Sequence, residues 1–89
     1  MKRRFEVLVW LKPGLLDPQG KAVGGALPAM GWKNVTNVRV GKHVELTVEA
    51  DSEEAARAQV EEMARRLLSN PVIEEFRILT APDGQGADA

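Results

Sequence analysis

The sequence predicts one α+β domain in which two helices alternate with short strands. The chain has 89 residues, enough for one two-layer core. Apolar residues recur with a period of two near the N-terminus and at residues 44–48, as strands require, and a stripe with helical spacing follows residue 51. The expected order is strand, helix, strand, strand, helix, strand. That order is the split βαβ plan of ferredoxin-like domains, an open sandwich of four strands and two helices.

The first strand is expected within RFEVLVWLK, residues 4–12. Its alternating apolar residues are Phe5, Val7, Val9 and Leu11. Leu8 and Trp10 make the opposite face apolar as well, and in an open sandwich that face is uncovered in a monomer. Because an exposed apolar patch favours association, we expect a homodimer or a higher homo-oligomer formed through the sheet face.

A first helix is expected to begin at Asp17 and Pro18. The carboxylate can accept backbone N–H groups, and proline at the first helical position loses no hydrogen bond. Apolar residues at helical spacing follow, namely Val23, Leu27 and Met30, and Gly31 is placed to end the helix. Three residues disfavour a regular interior: Gly24, Gly25 and Pro28. The helix should therefore be short and bent near its end.

Residues 34–50 are interpreted as two strands around Gly41, Lys42 and His43. A two-residue turn would place polar residues on the apolar face. A three-residue loop avoids this. Its pairs would be Val40 with Val44 and Val38 with Leu46.

The second helix has a predicted cap at Asp51, with Glu54 as its capping-box partner. Its predicted core stripe is Ala56, Val60, Met63 and Leu67. Its predicted outer ion pairs are Glu61 with Arg65 and Glu62 with Arg66. SNP at residues 69–71 should end the helix, and a last strand is expected at 72–79. The single domain thus spans residues 1–80, and the small and polar residues 81–89 are expected to be disordered.

Composition excludes several classes of function. Twelve basic and thirteen acidic residues leave a net charge of −1, which argues against nucleic acid or an anionic membrane as a partner. The absence of cysteine excludes disulfides, thiolate metal sites and a cysteine nucleophile from this chain. No hydrophobic segment follows the N-terminus that would serve as a signal peptide, so a cytoplasmic location is expected.

The sequence contains no recognisable set of catalytic or metal-binding residues. The stretch GLLDPQGKAV at residues 14–23 lacks the glycine and hydroxyl positions of a Walker loop, and its glycines do not spell a dinucleotide fingerprint. His43 is the single histidine, so one chain cannot form a histidine metal cluster. The central strands carry no stacking aromatics, which argues against an RNA-recognition domain. We expect no catalytic residue and no metal ligand.

Three stretches together resemble a known family. They are LDPQGKAV at residues 16–23, VTNVRVGKHVEL at 35–46 and LLSNPVIEEF at 67–76. In this order and in so short a chain, they resemble the PurS family, the small subunits of phosphoribosylformylglycinamidine synthase, also called formylglycinamide ribonucleotide amidotransferase. The resemblance covers roughly residues 5–79.

The resemblance implies a noncatalytic assembly subunit in the fourth step of de novo purine biosynthesis. In that family a large synthetase subunit, PurL, carries the ATP and substrate site. A glutaminase subunit, PurQ, releases ammonia, and the small subunit joins the two as a dimer and supports ammonia transfer. ATP and magnesium are then expected in the synthetase, and no cofactor is expected on this chain alone.

The resemblance also implies motif or partner-binding positions. They are Asp17, Pro18, Gln19 and Gly20; Arg39, Gly41 and Lys42; and Asn70, Pro71, Val72, Ile73 and Glu74. Backbone geometry accounts for three of these: Pro18, Gly41 and Pro71. For Gln19, Arg39 and Lys42, a contact with a partner and no contact remain open alternatives.

Two other classes of function are compatible with the predicted plan. An ACT-like regulatory domain shares the ferredoxin-like order and would bind a free amino acid or nucleotide on its own. A stand-alone enzyme would require turnover by the isolated chain. An assembly subunit would instead bind nothing small and would form a complex.

Overall fold

The computed structural model describes residues 1–80, and the predicted disorder of 81–89 lies outside the described residues. The elements are β1 (Lys2–Leu11), α1 (Pro18–Ala26), a short 3₁₀ helix (Pro28–Met30), β2 (Lys42–Glu49), α2 (Glu53–Met63), a π-helical turn (Ala64–Leu68) and β3 (Glu74–Thr80). The predicted α+β class is confirmed.

The described strands form one antiparallel sheet in the order β2-β1-β3. At its centre Val7 lies between Val44 of β2 and Ile78 of β3. β1 is the central strand because it pairs with both β2 and β3, and its alternating apolar residues are buried on one face. The other face carries half-buried Leu8 and Trp10.

The hydrophobic core lies between this sheet and α2. Its buried residues are Phe5, Val7, Val9, Val48, Ala56, Val60, Ala64 and Ile78. Phe5, Val7 and Val60 are each 0% exposed. Burying a side chain of this kind contributes about 1.5–3 kcal/mol relative to leaving it in water. The predicted faces of β1 are therefore confirmed.

α2 begins one residue later than predicted. Ser52, and not Asp51, caps it: the Ser52 hydroxyl accepts the Ala55 N–H at 3.0 Å. Ser52 is in extended conformation directly before the first helical residue, the position from which a short side chain reaches the free N–H groups. The predicted cap at Asp51 is wrong.

The core stripe of α2 is only partly the predicted one. Ala56 and Val60 are buried as expected, but Met63 is 37% exposed and Leu67 is 81% exposed. The stripe instead continues in steps of four to Ala64, after which the wider π-helical turn rotates the following side chains. The predicted outer ion pairs are confirmed at 3.6 Å for Glu61–Arg65 and 3.0 Å for Glu62–Arg66.

The predicted hairpin at residues 34–50 is wrong. Residues 34–41 form no strand in the described chain, and β2 starts at Lys42, opposite Val9 of β1. No turn interrupts the backbone from residue 38 to Lys42, and Gly41 lies against the backbone of β1 at Val9. Segment 38–41 therefore leads directly into β2, and its last residue lies beside β1. Residues 1–80 form three strands, whereas the sequence predicted four.

α1 begins and ends as predicted but does not cover the sheet. It starts after Asp17, it breaks after Ala26 into the 3₁₀ turn, and Gly31 ends that turn with a left-handed φ of 107°. Gly20 is the buried residue of α1, whereas Val23 is 44% and Met30 is 66% exposed. The apolar side of this helix thus has no cover within the described chain.

The uncovered sheet face is more polar than predicted. Arg4 pairs with Glu45 at 2.6 Å, and His43 contacts Glu6 at 2.8 Å. Trp10 donates its indole N–H to Glu75 at 3.2 Å. Cross-strand pairs of this type stabilise the sheet. Association of copies through this face stays a prediction.

Candidate partner-binding corner

Residues from all three predicted motifs meet at the end of the sheet where β1 ends and β2 begins. They surround a cavity of about 270 Å³, which we call the corner. Its lining residues are Val9, Trp10, Leu11, Asp17, Pro18, Gln19, Val40, Gly41, Lys42 and Glu74. Lys42 lies opposite Val9, and Glu74 lies opposite Leu11. The sheet register therefore brings together motifs that are far apart in sequence.

Asp17 holds the corner together. It is 7% exposed, and its carboxylate accepts two backbone N–H groups: Gly20 at 2.9 Å on Oδ1 and Val40 at 2.8 Å on Oδ2. The predicted helix cap is confirmed. The bond to Val40 could not be predicted from the sequence, because it joins residues 23 apart. The same carboxylate therefore fixes both the start of α1 and the segment that leads into β2.

These donors also set the acidity of Asp17. The Gly20 N–H, followed by the Val40 N–H, lowers the pKa of the Asp17 carboxyl below its ordinary value of 3.8, and the Arg39 charge adds to this. Desolvation acts in the opposite direction but does not prevail. Asp17 is consequently an ionised structural acceptor at neutral pH and is unsuited to act as a general acid.

Arg39 closes the other side of the corner. Its guanidinium donates to the backbone oxygens of Leu15 at 3.3 Å and Leu11 at 3.2 Å, and its Nε lies 3.8 Å from Asp17. These contacts fix the loop between β1 and α1. Arg39 thus makes contacts within the chain, and a contact of Arg39 with a partner stays a prediction.

Two glycines permit the close packing of the corner. A Cβ atom at Gly20 would lie less than 3.0 Å from the Val38 carbonyl oxygen, and one at Gly41 would clash with the Val9 carbonyl oxygen. Both obstacles are backbone atoms, so a larger residue could enter only if an element moved. Gly41 is thus required for a close approach of two backbones, and not for the turn that was predicted.

The third motif is a turn that is held by its own residues. The Asn70 N–H donates to the Glu74 carboxylate at 2.7 Å, and the Val72 N–H donates to the Asn70 side-chain oxygen at 3.1 Å. The Lys12 N–H donates to the Ile73 oxygen at 2.9 Å, which joins the turn to the end of β1. Glu74 lines the corner, whereas Asn70 and Pro71 lie outside its lining.

Gln19 and Lys42 remain free for an external contact. Both side chains are exposed at the corner, and neither makes a hydrogen bond or ion pair within residues 1–80. They stand on a rigid base, since Asp17 and Arg39 hold the elements that carry them. The arrangement suits recognition of another molecule by a cation and an amide beside the apolar wall of Trp10.

The described residues offer no metal centre and no membrane-spanning helix. No group of three or more His, Cys, Asp or Glu side chains in residues 1–80 is arranged to hold a metal ion. None of the helices in that range is both long enough and apolar enough to cross a bilayer.

Comparison with known proteins identifies the family. The model of the PurS family, described as phosphoribosylformylglycinamidine (FGAM) synthase, matches residues 4–81. The chain belongs to the PurS family. The resemblance inferred from the three sequence stretches is thus confirmed over almost the same range.

Relatives of the family are similar along nearly their full length. The PurS subunit of phosphoribosylformylglycinamidine synthase from Bacillus subtilis is 46% identical over 74 residues, which are 83% of this chain and 87% of that protein. The subunit from Synechocystis is 43% identical over 79 residues, 88% and 79% of the two chains. A chain in the structure of PurLQS from Thermotoga maritima superposes with a TM-score of 0.85 at 30% identity, covering 91% and 99%. The ferredoxin-like assignment agrees with these PurS structures.

Proposed function

We propose that this PurS-family chain is a noncatalytic assembly subunit of phosphoribosylformylglycinamidine synthase, the ligase of the fourth step of de novo purine biosynthesis. It joins the glutaminase subunit PurQ to the synthetase subunit PurL and supports ammonia transfer between them. The observation that carries the proposal is the similarity to a chain of the PurLQS structure from Thermotoga maritima over 91% of this protein.

The corner agrees with a role in assembly. Its charged and hydrogen-bonding groups are either engaged within the chain, as in Asp17 and Arg39, or exposed on a fixed base, as in Gln19 and Lys42. Exposed polar groups on a rigid scaffold suit a protein interface, since little conformational freedom is lost on binding. We assign partner contact to Gln19 and Lys42 and positioning to Asp17 and Arg39.

The proposal also covers the cofactors, the oligomeric state and the cellular location. ATP and magnesium bind the synthetase subunit, and this chain binds no cofactor by itself. The protein acts as a homodimer or higher homo-oligomer, and it works in the cytoplasm.

The test is glutamine-dependent synthesis of formylglycinamidine ribonucleotide by purified PurL and PurQ, with and without this chain. An ammonia-dependent reaction serves as the control. We expect the chain to raise the glutamine-dependent rate and to leave the ammonia-dependent rate unchanged. Equal rates with and without the chain, together with no complex on a sizing column, would reject the assembly role. Binding of a free amino acid or nucleotide to the isolated chain in calorimetry would favour the ACT-like alternative.

A charge reversal tests the corner. Lys42→Glu reverses an exposed charge in the lining of the corner, so we expect at least a tenfold loss of affinity for the partner subunits with an unchanged thermal midpoint. Lys21→Glu is the matched control: Lys21 is exposed on α1 but does not line the corner. Equal affinities of the two variants would remove Lys42 from the interface.

A further inference from the structure

β3 forms one outer edge of the sheet, because the strand order is β2-β1-β3. An unpaired strand edge is a template for pairing with another chain, and proteins usually cover it or place charged groups along it. A chain that accepted strands at both edges of its sheet could add copies without end. The contacts along the outer edge of β3 therefore bear on how far this protein can associate with itself.

The hydrogen bonds of β1 show which backbone groups of β3 face outward. The Lys12 N–H donates to the Ile73 oxygen at 2.9 Å, one position beyond the last register pair, Leu11 with Glu74. Antiparallel pairs alternate between bonded and non-bonded, so the odd-numbered residues of β3 bond to β1. The backbone groups of the even-numbered residues therefore point away from β1: Glu74, Phe76, Ile78 and Thr80.

Arg57 of α2 reaches over the second half of this edge. Its Nη2 donates to the Ile78 backbone oxygen at 3.4 Å, and its Nη1 donates to the Thr80 hydroxyl at 3.2 Å. Glu61, one helical turn further on, lies 4.0 Å from the Arg57 Nε and favours this placement of the guanidinium. One side chain thus contacts two of the four residues whose backbone groups face outward.

The first residue of the edge is engaged as well. The Glu74 N–H donates to the Asn70 oxygen at 2.7 Å, within the turn that precedes β3. Without the Arg57 guanidinium, an incoming strand could form a continuous ladder with Phe76, Ile78 and Thr80. Arg57 therefore lies at the part of the edge where strand addition would otherwise be possible.

We propose that Arg57 closes the outer edge of β3 against strand addition by a second copy of this chain. A strand added here would have to donate its own N–H to the Ile78 oxygen, which the Arg57 guanidinium already binds. It would also have to displace a charge-assisted hydrogen bond and move a positive charge away from the edge. The inference goes beyond the proposed function, since it concerns self-association of the isolated chain at β3.

Opening the edge tests the proposal. We expect the weight-average mass of Arg57→Ala in light scattering to exceed that of the wild type by about twofold or more at high protein concentration. Arg65→Ala is the matched control: Arg65 also pairs with Glu61, at 3.6 Å, but has no hydrogen bond to β3 in residues 1–80. The mass of this control should equal that of the wild type.

Hydrogen exchange locates the new contact. The N–H groups of Phe76 and Ile78 point outward, so they should exchange more slowly in the associated Arg57→Ala chain than in the wild type. Circular dichroism shows whether the variant is folded. If Arg57→Ala does not fold, Arg57→Gln takes its place, because it keeps a polar side chain but offers a single, less extended amide to Ile78 and Thr80.

The remaining outcomes would overturn the proposal. A folded variant with the mass of the wild type would show that Arg57 does not close the edge. Equal association of Arg65→Ala would attribute the effect to the loss of any positive charge from α2. Association without protection of Phe76 and Ile78 would place the contact elsewhere. None of these measurements involves PurL or PurQ, so the assay with those subunits decides the assembly role separately.

Discussion

The helices α1 and α2 are held in place by different physical means. α2 buries Ala56 and Val60 completely, and Ala64 at the start of the π-helical turn is buried as well. α1 buries Gly20, and its position depends on the Asp17 carboxylate, which accepts the Gly20 and Val40 N–H groups. Apolar contacts therefore position α2, whereas directed hydrogen bonds position α1. The difference predicts which substitutions affect the whole fold and which affect the corner alone.

The largest effect is expected in the core under α2. Phe5→Ala removes a fully buried ring and should lower the free energy of unfolding by about 3–5 kcal/mol, as measured by urea denaturation.

A matched pair of substitutions then compares the two helices. Val60→Ala, at a fully buried position, should cost about 2 kcal/mol, whereas Val23→Ala, at an exposed position, should cost less than about 0.5 kcal/mol at low protein concentration. Equal costs at both positions under dilute conditions would contradict the proposed difference between the helices.

The next largest effect is expected at Asp17, whose carboxylate positions α1. Asp17→Ala removes the acceptor of two backbone N–H groups and should lower the thermal midpoint by roughly 5 °C. Asp51→Ala is the control, because Ser52 caps α2, and it should leave the midpoint nearly unchanged. If Asp51→Ala destabilised the protein as much as Ser52→Ala, the assignment of the cap to Ser52 would be wrong.

The same carboxylate predicts a dependence of stability on pH. The folded-state pKa of Asp17 is lowered below 3.8, so the unfolded chain binds more protons in this range and stability rises with pH. The contribution of Asp17 is complete well above pH 3.8 and is lost as the pH falls through the lower folded-state value. Urea titrations of the wild type and Asp17→Asn should show a constant difference at neutral pH that shrinks in acid. A difference that persists unchanged in strong acid would exclude this origin.

The smallest effect is expected on the outer surface of α2. The Arg66 and Glu62 side chains form an ion pair at 3.0 Å, but they are 77% and 64% exposed. Solvent screens such pairs, so Arg66→Ala should change the free energy of unfolding by no more than about 0.5 kcal/mol. A larger loss in thermal or urea denaturation would show that Arg66 has contacts beyond this pair.

Local features were predictable from the sequence, and contacts between distant segments were not. The start of α1 at Asp17 and Pro18 depends on neighbouring backbone groups, so its signal is contained in a few residues. The bond from Asp17 to Val40 depends on the sheet register and has no local signal. The error at α2 has a local cause. Asp51 and Ser52 are neighbours and both are favourable caps, so the cap residue changes if the start of the helix moves by one residue.

The candidate site follows the same division. The family resemblance assigns Asp17, Arg39, Lys42 and Glu74 alike to motif or partner-binding positions. The structure then separated them, since Asp17 and Arg39 bind within the chain while the Lys42 side chain is free in the described part. Trp10 was predicted only as part of the uncovered sheet face, and its place in the wall of the corner was missed because strand periodicity does not report the end of a sheet.

The sequence by itself determined the α+β class, the faces of β1, the ends of α1 and the PurS family, because alternation, capping and motifs are properties of neighbouring residues. The tertiary structure decided that residues 34–41 do not fold back on β2, because Asp17 and Arg39 tie this segment to the start of α1 and to the last residue of β1. It also decided that the motifs form a single corner. Those outcomes depend on hydrogen bonds between residues more than twenty positions apart, which no local pattern contains.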